Sequence, residues 1–169
     1  MTTGLLLAGG KSSRFIYGDK ALYKDFPERC FSTLSDLTDE VFVSAKSSNL
    51  AELQKRLTTE NFLLDAEPYV NQGPLSALYA LANERKTITN VLLLSVDNPE
   101  ISVESLKKLL EFPNAYVENY FTIAHLTFEP SDLTDYLQSG QRRMKGFLDF
   151  LNAKAVEIPE NELVDHNKK

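Results

Sequence analysis

Short apolar runs that end abruptly in glycines or polar residues recur along this chain. Leu5-Leu6-Leu7-Ala8 stops at a glycine pair, and 41–45 and 91–96 are similar runs. A short, continuous apolar run of this kind is typical of a strand that is buried on both faces of a sheet. Phe62-Leu63-Leu64 is a weaker run of the same type, and it ends at Asp65. The pattern therefore predicts a series of buried strands.

Helical spacing of apolar residues fills the segments between these runs. Apolar residues recur at intervals of three and four in segments 50–57, 75–82 and 103–110. Pro74 stands at the favoured first-turn position of the second segment, and Ser102 is a candidate N-cap of the third. Alternation of strands and helices predicts a parallel sheet with right-handed crossovers and helices on both faces.

In the last third of the chain, the regular alternation of strands and helices gives way to a different order of elements. The segments 115–117 and 120–124 are predicted strands, with Glu118-Asn119 as the turn between them. The further predicted elements are helices that begin near Leu133 and Met144, the first of them halted near Ser139-Gly140, and a short strand at 155–158. The whole pattern predicts an α/β fold, a three-layer sandwich with a mostly parallel central sheet, in one domain of residues 1–169.

Composition and charge exclude several classes of function. The chain is 43% hydrophobic and 25% charged, which is ordinary for a globular domain. Its net charge of -6 lacks the basic footprint of a dedicated nucleic-acid binder. Cys30 is the single cysteine, so no intrachain disulfide is expected. No apolar run approaches the roughly 18 residues of a membrane span, and Met1-Thr2-Thr3 lacks the basic start of a signal peptide. We therefore expect a soluble cytoplasmic protein without a nucleic-acid or membrane partner.

The first candidate for a ligand-binding site lies where the first predicted strand ends at Gly9-Gly10. Glycines allow backbone N–H groups to point inward and a phosphate chain to approach closely. Lys11, Arg14 and Lys20 add three cations within the ten residues that follow this pair. We expect Lys20 to be a surface lysine that contributes little to folding. The pattern is neither a dinucleotide-binding fingerprint nor a P-loop, so an ordinary tight surface turn remains the alternative.

Carboxylates follow two of the other predicted strands. Ligands of open parallel sheets bind beyond the carboxyl ends of the strands, where Asp65 and Asp97 stand. Asp97 could hold Mg²⁺ against substrate phosphates. A role in an Asx-turn before Asn98-Pro99 is the alternative, and the residue types alone do not separate the two. His125 is expected to be a packed core histidine, and Cys30 a small buried hydrophobe.

The order of these motifs resembles the molybdenum cofactor guanylyltransferases and, less closely, the wider class of nucleotidyltransferases with a glycosyltransferase-A-like, Rossmann-like fold. The blocks that carry the resemblance are Leu7-Ala8-Gly9-Gly10-Lys11-Ser12-Ser13-Arg14 with Asp19-Lys20, Asp65 with Gly73-Pro74-Leu75, Val96-Asp97-Asn98-Pro99, and Gly140-Gln141-Arg142-Arg143. The double glycine favours the guanylyl branch over cytidylyl relatives. The resemblance covers roughly residues 3 to 165.

The resemblance implies a function and a role for each matching residue. It implies a nucleotidyltransferase that moves GMP from MgGTP to the molybdopterin cofactor and releases pyrophosphate, with other molybdenum cofactor biosynthesis or acceptor proteins as candidate partners. It implies a nucleotide-binding half in residues 1–100, an acceptor-side half in 101–165 and a mobile tail in 166–169. The implied catalytic residues are Arg14, Lys20 and Asp97, and Asp97 is the implied Mg²⁺ ligand. The implied nucleotide-binding residues are Leu7, Ala8, Gly9, Gly10, Lys20, Asp65, Gly73 and Asp97.

The chain also departs from the family pattern. Ile16-Tyr17 stands where the family has glycines, and Lys46 occupies the place of a nucleotide-contacting Asn. These departures bear on the choice of base and acceptor. Two alternative functions therefore stay open, a related nucleotidyltransferase with another base or with a sugar 1-phosphate acceptor, and a catalytically weak nucleotide-binding partner protein.

Overall fold

A central sheet carries the fold in the computed structural model, which describes residues 1–10 and 18–166. The strands are β1 (Thr3–Leu7), β2 (Glu40–Ser44), β3 (Phe62–Leu63), β4 (Thr89–Ser95), β5 (Ala115–Val117), β6 (Tyr120–Phe128) and β7 (Lys154–Val156). The helices are α1 (Phe26–Ser35), α2 (Leu50–Arg56), α3 (Pro74–Arg85), α4 (Val103–Leu110), α5 (Pro130–Gln138) and α6 (Met144–Phe150). Arg14, Ile16 and Tyr17, all named above, lie outside the described residues.

The sheet has the order β3-β2-β1-β4-β6-β5-β7. Neighbouring strands from β3 to β4 pair in parallel, and so do β5 and β7. Among the strands that the structure describes, β6 alone runs against the others, because it pairs antiparallel with both β4 and β5. The predicted α/β class with a mostly parallel sheet is confirmed.

Helices cover both faces of the sheet, so the molecule has three layers. Alternate side chains of one strand enter different cores: Leu5 packs in the first core and Leu6 in the second, and both are fully buried. The first core joins the sheet to α3, α5 and α6, and the second joins it to α1, α2 and α4. Each fully buried leucine contributes about 1.5–3 kcal/mol relative to an exposed one.

Several residues that were predicted to begin helices, cap them or form turns occupy those positions in the structure. Pro74 is the first residue of α3, and the Ser102 side chain accepts a hydrogen bond from the Ser105 N–H at 3.1 Å. Asn119 adopts a φ of 70° in the turn between β5 and β6. α5 ends at Gln138, and Gly140 follows with a φ of 92°. Local turn and cap chemistry therefore fixes these element ends.

Three elements differ from the sequence expectation. The helix α1 was not predicted, although Phe26, Cys30 and Leu34 form its buried stripe. β6 continues to Phe128, four residues beyond the predicted end, because it stays paired with β4 as far as Thr89, and the polar His125 within this stretch is buried and hydrogen-bonded. β7 begins one residue earlier and ends two residues earlier than predicted.

The sheet is continuous across the two proposed halves of the chain, because β4 pairs with β6. Near the end of the described chain, the His166 ring packs on Phe26 at 4.6 Å between centroids and bonds Glu100 at 2.9 Å. Residues 167–169 of the predicted mobile tail, 166–169, lie outside the described residues, so its mobility stays a prediction. Within the described part of the chain, no helix is long and apolar enough to cross a membrane.

Candidate active site

Three parallel strands end at the same level and open onto one cavity. Leu7 at the end of β1 is paired with Ser44 of β2 and with Ser95 of β4. Beyond these residues lies a cavity of about 490 Å³. The predicted site residues that line it are Leu7, Ala8, Gly9, Gly10, Lys20, Asp65, Gly73 and Asp97. The structure thus brings together every predicted site residue except Arg14, which lies outside the described residues.

The two glycines differ in what surrounds them. The Ala8 N–H donates to the Ser44 carbonyl at 2.8 Å, so the chain still runs beside β2 as it leaves β1. A Cβ on Gly9 would lie 3.1 Å from both the carbonyl carbon and the oxygen of Ala45. A Cβ on Gly10 would have no described atom within 4 Å. Close packing therefore favours glycine at position 9, whereas a Cβ at position 10 would meet no described atom.

Lys20 and Asp97 form an ion pair in this cavity. Lys20 begins a 3₁₀ turn, Lys20–Leu22, and the Asp19 side chain caps that turn by accepting the Ala21 N–H at 3.0 Å. The Lys20 Nζ lies 3.2 Å from the Asp97 Oδ1. Lys20 is only 4% exposed, so the expectation of a surface lysine was wrong. A lysine is buried in this way only when it is paired, because an isolated buried charge is very costly.

The turn after β4 favours the ligand-binding role of Asp97 over an Asx-turn role. The Ser95 hydroxyl accepts the Asp97 N–H at 3.1 Å, and the Ser95 carbonyl accepts the Asn98 N–H at 3.1 Å. Ser95, and not Asp97, thus supplies the side-chain acceptor within this turn. The Asp97 side chain remains 53% exposed at the cavity. Its carboxylate therefore has room for a ligand besides Lys20.

The donor set fits Mg²⁺ of the kind that is bound mainly by substrate. Mg²⁺ is usually held by one or two carboxylates together with substrate phosphates and water, rather than by a cage of protein ligands. Asp97 offers one half-exposed carboxylate. The described residues hold no group of three or more His, Cys, Asp or Glu side chains placed to hold a metal. A Mg²⁺ ion here would take its remaining ligands from phosphate oxygens and water.

Asp65 and Gly73 bound the loop that leads from β3 into α3. The Asp65 Oδ2 accepts the Asn71 N–H at 2.8 Å and so closes this loop. Gly73 adopts a φ of 67°, a conformation that favours glycine, immediately before α3. Both residues and Asn71 line the cavity. Asp65 therefore shapes this wall of the cavity, and its carboxylate is partly committed to the loop.

Sequence reasoning missed Asn49, which belongs to a group of polar side chains next to the glycine pair. Asn49, which is 1% exposed, donates from Nδ2 to the Ala8 carbonyl at 2.8 Å and to the Asp19 Oδ2 at 3.1 Å. The Lys46 Nζ donates to the Gly10 carbonyl at 3.1 Å and lies 3.5 Å from the Asp19 Oδ2. Asp19 belongs to a motif quoted above, but a single Asn in a polar segment gives no sequence signal.

The remaining single residues have structural roles. His125 is 5% exposed, and its ring nitrogens bond the Phe112 carbonyl at 2.6 Å and the Asn90 Oδ1 at 2.8 Å, which confirms a packed core histidine. Cys30 is fully buried, as expected, and burial raises the pKa of its thiol to about 12. The exposed Arg142 donates to the Leu137 carbonyl at 2.7 Å and so caps α5.

Comparison with known proteins identifies the family. Residues 4–128, which include every described residue of the cavity wall, match the model of the MobA-like NTP transferase domain. The chain belongs to this family. The predicted membership of a nucleotidyltransferase family is thereby confirmed.

Two individual proteins are similar to this chain at 28% identity. A protein of Geobacillus sp. (strain WCH70) named "Probable molybdenum cofactor guanylyltransferase" is 28% identical over 116 residues, 66% of this chain. The match spans 57% of that curated relative, a little over half its length. The crystal structure of the protein Aq1419 from Aquifex aeolicus VF5 is 28% identical, with a TM-score of 0.73 over 99% of this chain and 94% of that one.

A third comparison concerns the fold alone. The molybdopterin-guanine dinucleotide biosynthesis protein A of Archaeoglobus fulgidus is 19% identical to this chain. The two structures align with a TM-score of 0.66 over 93% of this chain and 83% of that protein. The predicted nucleotidyltransferase architecture is therefore confirmed.

Proposed function

We propose that this protein transfers GMP from MgGTP to the terminal phosphate of the molybdopterin cofactor and releases pyrophosphate. The proposal is supported by the family and by the name of the Geobacillus relative. The observation that carries it is the meeting of a glycine pair, Lys20 and Asp97 at one cavity, with the two charged atoms 3.2 Å apart.

The proposed reaction is an exchange of one phosphate bond for another. An oxygen of the acceptor phosphate bonds to the α-phosphorus of GTP, and the bond from that phosphorus to the bridging oxygen breaks. Pyrophosphate leaves with the electron pair. The attacking phosphate oxygen is already ionised near neutral pH, so no protein base is required.

The main task of the protein is to place and neutralise many negative charges. Positioning and preorganised electrostatic stabilisation are the principal sources of rate in such chemistry. Lys20 would hold a phosphate oxygen of the nucleotide, and Arg14 would add a second cation. The backbone at Gly9 and Gly10 would admit the phosphate chain closely. Asp97 would hold Mg²⁺, which neutralises phosphate charge when it is bound.

The acceptor would approach from the later half of the chain. Most of the cavity wall comes from residues before position 100, whereas Thr122 of β6 closes one side of it. Because β6 lies next to β4, this side is adjacent to Asp97. The proposal thus keeps GTP on residues 1–100 and the molybdopterin cofactor beside 101–165. GTP as donor implies a cytoplasmic reaction, and molybdenum cofactor biosynthesis or acceptor proteins would take up the product.

A different base remains the second candidate because of Lys46. The resemblance implies a nucleotide-contacting Asn at this position, where the Lys46 ammonium donates instead to the Gly10 carbonyl at 3.1 Å. A third candidate is a nucleotide-binding partner protein with weak turnover. Nucleotide selectivity and turnover distinguish these candidates from the proposed guanylyl transfer.

A thermal-shift panel of nucleotides, each with and without Mg²⁺, tests the proposal. MgGTP should stabilise the protein more than the ATP, CTP or UTP complexes. At 100 times its Kd it should add about 2.7 kcal/mol to the free energy of unfolding. Release of pyrophosphate in the presence of molybdopterin cofactor should follow. A shift with MgCTP that equals or exceeds that with MgGTP would contradict guanine specificity, and binding without turnover would favour the partner protein.

A further inference from the structure

A single buried amide connects the end of β1 to the turn that carries Lys20. Asn49 uses both hydrogens of its Nδ2, one on the Ala8 carbonyl at 2.8 Å and one on the Asp19 Oδ2 at 3.1 Å. Its Oδ1 accepts the Lys46 N–H at 3.0 Å. An amide side chain has two N–H donors and one carbonyl acceptor, so every group of this one is engaged. Such a side chain holds three backbone segments in a fixed relation.

The contacts lead in two steps to the charged pair of the cavity. Asp19 receives Asn49 on Oδ2 and caps the 3₁₀ turn with Oδ1, which accepts the Ala21 N–H at 3.0 Å. Lys20 is the first residue of that turn, and its Nζ reaches the Asp97 Oδ1 at 3.2 Å. The orientation of the turn therefore depends on the orientation of the Asp19 carboxylate.

The same amide also fixes the glycine pair. Ala8, which receives the other Nδ2 hydrogen, directly precedes Gly9. Lys46 holds the next part of this segment, because its Nζ donates to the Gly10 carbonyl at 3.1 Å. The two elements of the proposed phosphate site, the glycine turn and Lys20, thus share one anchor.

We propose that Asn49 is a positioning residue that sets Lys20 and the glycine turn for the nucleotide phosphates, acting through Asp19. This inference rests on the proposed function for what Lys20 binds. Asn49 does not line the cavity, so it acts through other residues rather than on the ligand. An Asp at position 49 could not donate to Ala8 or Asp19, and an apolar residue would leave their acceptors unpaired.

Four variants test this inference: Asn49→Ala, Asp19→Ala, the double variant of the two, and a matched control, Asn114→Ala. The Asn114 Oδ1 accepts the N–H of Thr127, near the end of β6, at 2.8 Å. The control therefore also loses a side-chain hydrogen bond to a partly buried backbone N–H. The first readout is the rate of Lys20 acylation, followed by mass spectrometry without any nucleotide. The second is kcat and KM with MgGTP, and the third is the melting temperature.

We expect Asn49→Ala and Asp19→Ala each to raise Lys20 acylation several-fold above wild type. Turnover should fall by up to about 10²-fold, the cost of a misplacement near 1 Å. Because Asn49 acts through Asp19, the turnover of the double variant should be no lower than that of the more affected single variant. The control should melt earlier without a change in acylation or KM.

Two results would overturn the inference. One is a rate of Lys20 acylation in Asn49→Ala that equals the wild-type rate. The other is a loss of activity that the lower melting temperature explains completely, as it would for any loss of activity in the control. A wild-type protein that does not bind MgGTP, in a series where acylation changes as expected, would instead overturn the proposed function and leave the positioning role standing.

Discussion

At the scale of single residues, three carboxylates line the cavity but have different partners. Asp19 is held by Asn49, by Lys46 and by the Ala21 N–H. Asp65 accepts the Asn71 N–H. Asp97 faces Lys20 and keeps a side chain that is 53% exposed. Asp19 and Asp65 thus both hold backbone around the cavity, whereas the half-exposed Asp97 carboxylate pairs with the Lys20 ammonium, and Asp97 is the residue that we propose as the Mg²⁺ ligand.

The first prediction concerns Asp97. Asp97→Asn keeps the size of the side chain and removes the charge that Mg²⁺ needs. We expect the variant to reach the same fold, because the Ser95 hydroxyl holds the Asp97 N–H whatever the side chain, but to be less stable than wild type, because the buried Lys20 ammonium loses its charged partner. Calorimetry should show the loss of Mg²⁺-dependent GTP binding, and activity should fall by several orders of magnitude. Glu104→Gln, an exposed change on α4, is the matched control and should behave as wild type.

A wild-type response of Asp97→Asn would place the metal elsewhere. An Asx-turn role predicts that response, since Asn forms such turns as readily as Asp does. Equal MgGTP affinity of the two proteins would therefore contradict the assignment of Asp97 as the metal ligand.

The sequence predicted the charged residues of the site better than the residues that hold them. Lys20 and Asp97 are recognisable because strand ends, glycines and charges occur together in an order that a family shares. Asn49 is not, because its role depends on the burial of one polar residue between segments that are distant in sequence. The burial of Lys20 was missed for the same reason.

At the scale of elements, helices and strands were predicted most accurately from the sequence where apolar residues are most dense. β1, β2 and β4 contain continuous apolar runs, and their ends were all predicted within two residues. The start of β4 lies at Thr89 because two polar residues, which carry no apolar signal, join the strand before Val91. α1 was missed although its buried residues Phe26, Cys30 and Leu34 recur at helical spacing. Their spacing of four residues, with Pro27 in the first turn, is the signal that could have identified this helix.

The second prediction concerns the junction of β1 and β2. Gly9→Ala would place a Cβ 3.1 Å from two backbone atoms of Ala45, and a backbone neighbour cannot yield as a flexible side chain does. We expect a loss of stability of about 1–3 kcal/mol, the usual cost of overpacking, together with weaker nucleotide binding. Urea denaturation measures the first effect, and calorimetry with MgGTP the second.

Gly10→Ala is the matched control for this prediction. No described atom lies within 4 Å of a Cβ at Gly10, so its free energy of unfolding should stay near the wild-type value. A Gly9→Ala variant as stable as Gly10→Ala would show that the end of β2 can move away, and close packing would then not explain the glycine.

At the scale of the whole molecule, the order of the strands determines the site. β1 and β4 are far apart in sequence but adjacent in the sheet, and this pairing brings Gly9 and Asp97 to one cavity. The insertion of the antiparallel β6 between β4 and β5 adds Thr122 to the wall. The local pattern of apolar residues predicts that these strands exist. The order of β6, β5 and β7 in the sheet depends on long-range pairing, about which that pattern carries no information.

The last prediction uses Cys30 to measure how a bound nucleotide stabilises the whole fold. Cys30 is fully buried, and its Sγ lies 3.7 Å from the Ser95 carbonyl beneath the cavity. Burial raises the pKa of this thiol to about 12, whereas an unfolded cysteine has a pKa of about 8.5. Because the thiolate is the reactive form, a disulfide reagent near pH 8 should modify the thiol only in unfolded molecules.

The rate of this modification should therefore follow the population of unfolded protein and rise with urea. MgGTP at 100 times its Kd, bound to the native state alone, should slow the reaction about 100-fold, which corresponds to about 2.7 kcal/mol. Asp97→Asn is the control, in which MgGTP should leave the rate unchanged. A fast reaction without urea that MgGTP does not slow would show that a local opening exposes Cys30 while the nucleotide site stays folded.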